Sequence, residues 1–286
     1  MRYDDLFILM PLHQVIILAI VQGVTEFLPV SSSAHLALAP WLLNWRDQTL
    51  VFDIALHLGT LAAVLLYFWR DIVQITAQGF GLRYGRDPEL AQNRRLIWLI
   101  GLATVPVGVV GLLVHDVAEN EWRHSRILIS SMLVGVGVLM ILAERIGKRR
   151  KGMAEIGFAD TLIIGASQAI ALIPGTSRSG ITIVAGLLRD INRPAAARFS
   201  FLLSTPAVAA AAAKAVWDLY QAGGVPPHLR AAFVVGILVS GITGCLVIGF
   251  LLRYLREHTL KLFIYYRIIF GIIVIALAAI FRASAG

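Results

Sequence analysis

Ten apolar stretches joined by short polar segments organise this chain. They lack the period-two alternation of a membrane β-barrel, so the elements they predict are helices. The first half holds five, at about 12–29, 34–45, 51–69, 95–115 and 126–146; the second holds five more, at about 158–173, 179–189, 198–220, 229–252 and 260–282. A helix needs about 20 apolar residues to cross a bilayer. The last three stretches of each half reach that length. The first two of each half fall short, and a proline-containing polar loop joins them. Each such pair reads as a re-entrant helix–loop–helix that enters and leaves by one face. Irregular backbone at that depth requires protein or a water-filled cavity around it. The expected fold is therefore all-α and polytopic, one membrane domain over 1–286 built of two repeats, 1–150 and 151–286. Each repeat is a re-entrant hairpin plus three transmembrane helices. Three spans carry the chain to the opposite face, so the second repeat is inverted.

Composition agrees. Of the 286 residues 58% are hydrophobic and 15% charged, and the mean hydropathy is +0.79; a soluble surface needs more charge than this. The formal charge of +8 suggests nucleic acid until its distribution is read. Of 25 lysines and arginines, 16 fall at one face of the expected topology and six at the other; Arg178, Lys214 and Arg267 lie within apolar segments. That bias is topological, so no nucleic-acid partner is expected. It puts both termini and the first hairpin's mouth outside, and the second hairpin's mouth inside. The single cysteine, Cys245, excludes an internal disulfide. The first apolar run carries Glu26 and no clear small-residue cleavage site, so it is not expected to be a removable signal.

The two hairpin loops hold the chemistry. The first runs Gln22-Gly-Val-Thr-Glu26-Phe-Leu-Pro29-Val-Ser31-Ser32-Ser33-Ala-His35, the second Pro174-Gly175-Thr176-Ser177-Arg178-Ser179-Gly180. Aligning the prolines, 145 residues apart, places Ser31-Ser32 on Thr176-Ser177. Ionisable groups at membrane depth are expensive and mark function. Gln22 and Glu26, four apart on one helix face, could fix the fold or ligate a divalent cation. Ser31, Ser32 and Ser33 suit helix capping, and Ser32 lies within reach of the His35 imidazole. In the second loop Gly175 and Gly180 let backbone approach an anion. Thr176, Ser177 and Ser179 offer hydroxyls, and Arg178 the planar fork suited to phosphate. His57 and Thr60 are weaker candidates, placed to face a cavity. Arg267 reads as a cation that reaches substrate or snorkels, Lys214 as one that snorkels, and Asp53 as the partner of a loop cation or a metal.

These two motifs, with Phe199-Ser-Phe-Leu-Leu-Ser-Thr-Pro206 after the second, resemble the bacitracin-resistance-protein family of undecaprenyl-pyrophosphate phosphatases nearly end to end. The family has Glu or Gln where this chain has Gln22, the weaker metal ligand of the two. The resemblance implies hydrolysis of undecaprenyl pyrophosphate to undecaprenyl phosphate and inorganic phosphate, which recycles the lipid carrier for peptidoglycan synthesis. It also implies dependence on Mg²⁺ or Ca²⁺ and resistance to bacitracin, which competes for the lipid.

The expected enzyme sits in the bacterial cytoplasmic (inner) membrane with its site opening outward. Arg178 neutralises the pyrophosphate with the surrounding hydroxyls; Ser32 attacks; Glu26 or His35 is the base. His35 or a metal-activated water as nucleophile stays open, as does a homodimer. The rival is a transporter or flippase of an anionic polyprenyl phosphate lipid, which inverted repeats with broken helices also fit.

Overall fold

The computed structural model describes residues 11–45 and 50–283. Arg2 and Arg46, counted above to the outer face, lie outside the described residues, as does the side chain of Arg282. The described chain forms α1 (Leu12–Thr25), α2 (Ser32–Leu43), α3 (Leu50–Tyr67), α4 (Trp69–Gly79), α5 (Pro88–Gln92), α6 (Leu96–Asn120), α7 (Arg126–Ile146), α8 (Phe158–Ile170), α9 (Arg178–Leu188), α10 (Arg193–Gln221), α11 (Arg230–Glu257) and α12 (Lys261–Ala283).

Five of these, α6, α7, α10, α11 and α12, are long and apolar enough to cross a membrane. The 51–69 stretch differs from expectation. Its helix α3 meets the length only together with α4, from which it is bent by 68°. The bend follows from sequence: Arg70, Asp71, Gln74 and Gln78 make α4 too polar to continue through hydrocarbon. Gln74 instead ties down the following loop, donating to the Asp87 carbonyl at 2.8 Å and accepting from its amide at 3.1 Å. Asp87 in turn caps the short α5. Burial of the Asp87 carboxyl raises its pKa, but the Leu90 amide and Arg198 outweigh this and hold it below the usual range.

Both hairpins return to the face they left. At the open end of α1–α2, the His13 and Trp45 rings meet edge-on at 6.3 Å. At the open end of α8–α9, Lys151 N donates to Asp190 O at 2.9 Å, and Arg189 reaches Asp160 at 2.8 Å. The sequence's division of charges is also met by contacts. Glu144–Arg193 and Arg198–Asp71–Asp87 gather residues of the basic face. At the other face Arg123 pairs with Asp53, and Arg126 lies 4.7 Å over the Trp41 ring.

Packing exchanges partners between the halves. α1 lies on α11 and α8 on α6, so each hairpin is carried by a span of the other half. α3 meets α10, and α7 meets α12. Phe27 and Phe68 close on Phe201 in the centre, while Leu112 and Leu113 of α6 stand out at 85% and 79% exposure, tolerable only where lipid covers them.

Candidate active site

The two hairpin tips are built alike. Ser31 precedes α2 with φ of 79°; its hydroxyl accepts from Ala34 N and meets the Ser33 hydroxyl at 3.1 Å. Ser177 precedes α9 with φ of 71°; its hydroxyl accepts from Gly180 N at 3.0 Å and meets the Ser179 hydroxyl at 3.3 Å. A non-glycine residue held so costs about 1–3 kcal/mol, a cost found at functional turns. These caps are 146 residues apart, as are the starts of α1 and α8 and of α2 and α9. The proline alignment at 145 is therefore off by one. The position of Pro29 is that of Gly175, whose φ of +93° no proline can adopt. In the corrected register Ser32 answers to Arg178, Gln22 to Gln168 and Glu26 to Leu172.

What joins the tips is Arg267, fully buried. Its guanidinium donates to Pro29 O at 3.1 Å, Gly175 O at 3.1 Å, Thr176 O at 3.0 Å and Leu133 O at 2.9 Å. It does not snorkel, and it stands outside the cavity that Glu26 and Arg178 line. Gly175 N to the Ser33 hydroxyl, and the Ser179 hydroxyl to Leu28 O, complete the seam.

Above the seam lies a cavity of about 520 Å³. Glu26, Ser32, Ser33, His57, Gln168, Ser177 and Arg178 form its polar end. The apolar walls come from α6 (Val107, Gly111, Val114) and α10 (Ala207, Ala210, Ala211), with Lys214 further along. The buried Glu26 carboxylate is the centre of this end. It accepts from Arg178 across the two hairpins, from the Ser32 hydroxyl at 2.6 Å and from the Gln22 amide at 3.1 Å; His57 Nε2 stands 3.4 Å away. His57 Nδ1 faces its own Asp53 carbonyl at 2.6 Å, so both ring nitrogens face oxygen and a double-donor imidazole satisfies both. The N-termini of α2 and α9 converge here, adding dipole ends favourable to an anion.

Several predicted residues stand elsewhere. His35 does not meet Ser32 and does not line the cavity. Its Nδ1 donates to Ser31 O at 2.7 Å, its Nε2 meets Tyr266 OH at 2.7 Å, and its ring stacks on Phe270 at 4.9 Å. Ser31, Gly175, Thr176, Ser179 and Gly180, expected against the substrate, build the tips instead; Thr176, for one, turns its hydroxyl to Ile170 O. Thr60 likewise bonds its own helix. Lys214 lines the cavity and pairs with Asp218 at 2.7 Å. His57, only a secondary candidate, and Gln168, not singled out at all, both join the site. The 146-residue match of Gln168 to Gln22 was the signal available for it.

Both Glu26 oxygens are engaged by four donors, and Gln22 turns its nitrogen to Glu26, leaving Oε1 buried without a partner. No group of three His, Cys, Asp or Glu that could hold an ion exists among the described residues. These side chains alone offer a divalent ion too few free oxygens for a protein-built cage, so an ion held here would take the rest of its shell from substrate phosphate and water.

Fold and site together define a polytopic membrane protein with a cavity whose polar end is built where two helical hairpins meet. Residues 15–273 match the family described as bacitracin resistance protein BacA, and the chain belongs to that family. An undecaprenyl-diphosphatase of Thermomicrobium roseum is 42% identical over 96% of this chain and 100% of its own. Those of Moorella thermoacetica and Desulforudis audaxviator are 44% and 45% identical over 93% and 92% of this chain, and 98% and 96% of theirs.

Proposed function

We propose that this protein hydrolyses undecaprenyl pyrophosphate to undecaprenyl phosphate and inorganic phosphate, returning the lipid carrier to peptidoglycan synthesis. One observation carries the reading: Glu26 holds the hydroxyl of Ser32 and the guanidinium of Arg178 at once, at the polar end of an otherwise apolar cavity. A nucleophile, its base and a phosphate clamp are thereby gathered at one point. The α6 and α10 walls suit a polyprenyl chain; Gly108 leaves open space, and Gly111 faces only Leu172.

In the first step Ser32 Oγ attacks the terminal phosphorus while Glu26 takes its proton. The P–O bond to the lipid-linked phosphate breaks, and undecaprenyl phosphate departs with the bond's electron pair. Its low basicity removes the need for an acid. Arg178, Ser177 and the two helix N-termini stabilise charge on the phosphoryl oxygens. His57 stands at Glu26 Oε2, the oxygen that Ser32 also bonds, while Arg178 holds Oε1. Glu26 then loses the serine proton to solvent. A water attacks phosphoserine as Glu26 takes one of its protons, and Glu26 returns it to Ser32 Oγ as the Oγ–P bond breaks and inorganic phosphate leaves. Mg²⁺ or Ca²⁺ would come as a companion of the pyrophosphate rather than in a cage of Gln22 and Glu26. Bacitracin would compete for the same lipid. Nucleophile, base and clamp all come from one chain, so this chemistry does not call for a homodimer.

The reading includes an orientation in the bacterial cytoplasmic membrane. Cavity residues fall mainly on the halves of α6 and α10 away from the basic face, Val114, Ala118, Ala211 and Lys214 among them. With the basic face inside, the site opens outward. An impermeant thiol reagent outside cells should label Ser33→Cys in a Cys245→Ser background; labelling only from within would reverse the orientation. The primary test is phosphate release from undecaprenyl pyrophosphate by pure protein in detergent. None should appear if the chain merely transports an anionic lipid.

A further inference from the structure

The mechanism above does not use Ser33, Thr104, Lys214 or Gln168 of the cavity lining, and of these four Gln168 is the one whose polar atoms have no partner. Gln168 has no exposed surface, yet it borders the cavity together with Glu26, Ser32, Ser177 and Arg178. Neither its Oε1 nor its Nε2 has a hydrogen-bond partner. Native proteins rarely leave a whole carboxamide so, and where they do a ligand or a bound water is the usual reason.

The internal repeat indicates what is missing. Gln22 occupies the matching place in the first hairpin, 146 residues earlier, and is equally buried. Its Nε2 donates to Glu26 Oε2 at 3.1 Å, one helical turn on. One turn on from Gln168 stands Leu172, which also lines the cavity. The second hairpin thus keeps the amide and lacks the anion to which the Gln22 nitrogen donates. The space the anion would fill is shared with Arg178, the cation expected to meet phosphate.

We propose that Gln168 is a substrate-binding residue whose amide donates to an anionic phosphoryl oxygen of the pyrophosphate group, as the Gln22 amide donates to Glu26. Its Oε1 then accepts from a water that accompanies the phosphate. The identity of that phosphate rests on the function proposed above; the demand for an anionic oxygen does not.

Gln168→Leu tests this, since leucine keeps much of the volume and removes both polar atoms. Thermal unfolding in detergent should give a Tm equal to or above wild type, because no bonded group is lost. The rise in Tm that inorganic pyrophosphate or undecaprenyl phosphate gives wild type should shrink. The KM for undecaprenyl pyrophosphate should rise about tenfold, the worth of one hydrogen bond to a charged oxygen. Gln168→Glu, which sets a carboxylate against the phosphate, should raise KM further. If the leucine variant does not fold, Gln168→Asn decides, with a raised KM and an unchanged Tm expected.

A shift with inorganic pyrophosphate assigns the amide to the free phosphates as well; a shift with undecaprenyl phosphate alone assigns it to the lipid-linked one. Retention of both ligand shifts and of the wild-type KM by Gln168→Leu overturns the proposal, as does a lowered Tm with KM unchanged, the mark of an amide that serves only the fold. Should wild-type protein release no phosphate from the lipid, the functional reading fails, while the pyrophosphate shift, which needs no turnover, still decides Gln168.

Discussion

The two hairpins share a backbone and differ in chemistry. Each tip is a serine at positive φ that caps the helix after it and touches the hydroxyl two residues on. Each ascending helix carries a fully buried glutamine at the same place. The differences fall where the cavity is. Glu26 and Ser32 in the first hairpin become Leu172 and Arg178 in the second. One tip holds an acid and a hydroxyl; its counterpart holds a cation. Their mouths differ too, an aromatic pair closing the first and ion pairs to Asp160 the second. A duplicated scaffold can thus supply opposite halves of one site, because inversion brings equivalent positions face to face from opposite sides.

The largest effect should come from removing what each hairpin contributes alone. Ser32→Ala should lower turnover by at least about 10³-fold, the residue being the proposed nucleophile, and slow substrate should leave phosphate on Ser32 in wild type. Activity persisting in the alanine variant, or phosphate trapped on His35, would move the chemistry off the serine. Arg178→Ala should cost about 10²–10³-fold in kcat, and lysine should restore little, since a point charge lacks the bidentate fork. Should both variants lose only substrate affinity, the halves would be alike in role, and the comparison would fail.

The scaffold was legible in sequence and the division of labour only partly so. All ten apolar stretches became helices, because length and hydropathy dominate in lipid. The bend into α4 was missed, its polar residues being visible but short in run. Glu26, Ser32 and Arg178 do meet, as charge at membrane depth suggested. His35 was drawn toward Ser32 by spacing alone. Three residues apart at a helix start permits contact, but the ring found Tyr266 and Phe270, whose approach depends on how α12 packs. For Arg267 the difficulty was similar: its carbonyl partners come from two loops and α7, and no local pattern announces them.

Next in size is the seam that makes the two tips one site. Arg267→Met keeps much of the side-chain volume but strands the carbonyls of Pro29, Gly175 and Thr176. A lost hydrogen bond to a charged group costs about 1.5–3 kcal/mol, so two or three should lower the Tm by many degrees. Both hairpins should then separate, and kcat should fall although Arg267 lies outside the cavity. Loss of activity at unchanged Tm would place Arg267 in the chemistry instead.

The smallest effect belongs to a contact that the first hairpin has and the second lacks. His35 answers to Ile181 in the second hairpin, so no matching imidazole braces that tip. Through Nδ1, His35 holds the carbonyl of Ser31, the residue at positive φ just before Ser32; through Nε2 it leans on Tyr266 of α12. The first tip, which carries the proposed nucleophile, therefore has an extra brace that the second tip does without. Tyr266→Phe removes only the hydroxyl end of that brace and leaves the stacking with His35 and Phe270. A net hydrogen bond of about 0.5–1.5 kcal/mol is lost, so kcat should fall a fewfold, KM should hold, and trapped phosphate should remain on Ser32. An imidazole that acted as base or nucleophile would answer differently. The pH dependence of kcat would shift with loss of the tyrosine, and the drop would approach that of Ser32→Ala. A KM change at constant kcat would instead put the pair against substrate, contrary to its place outside the cavity.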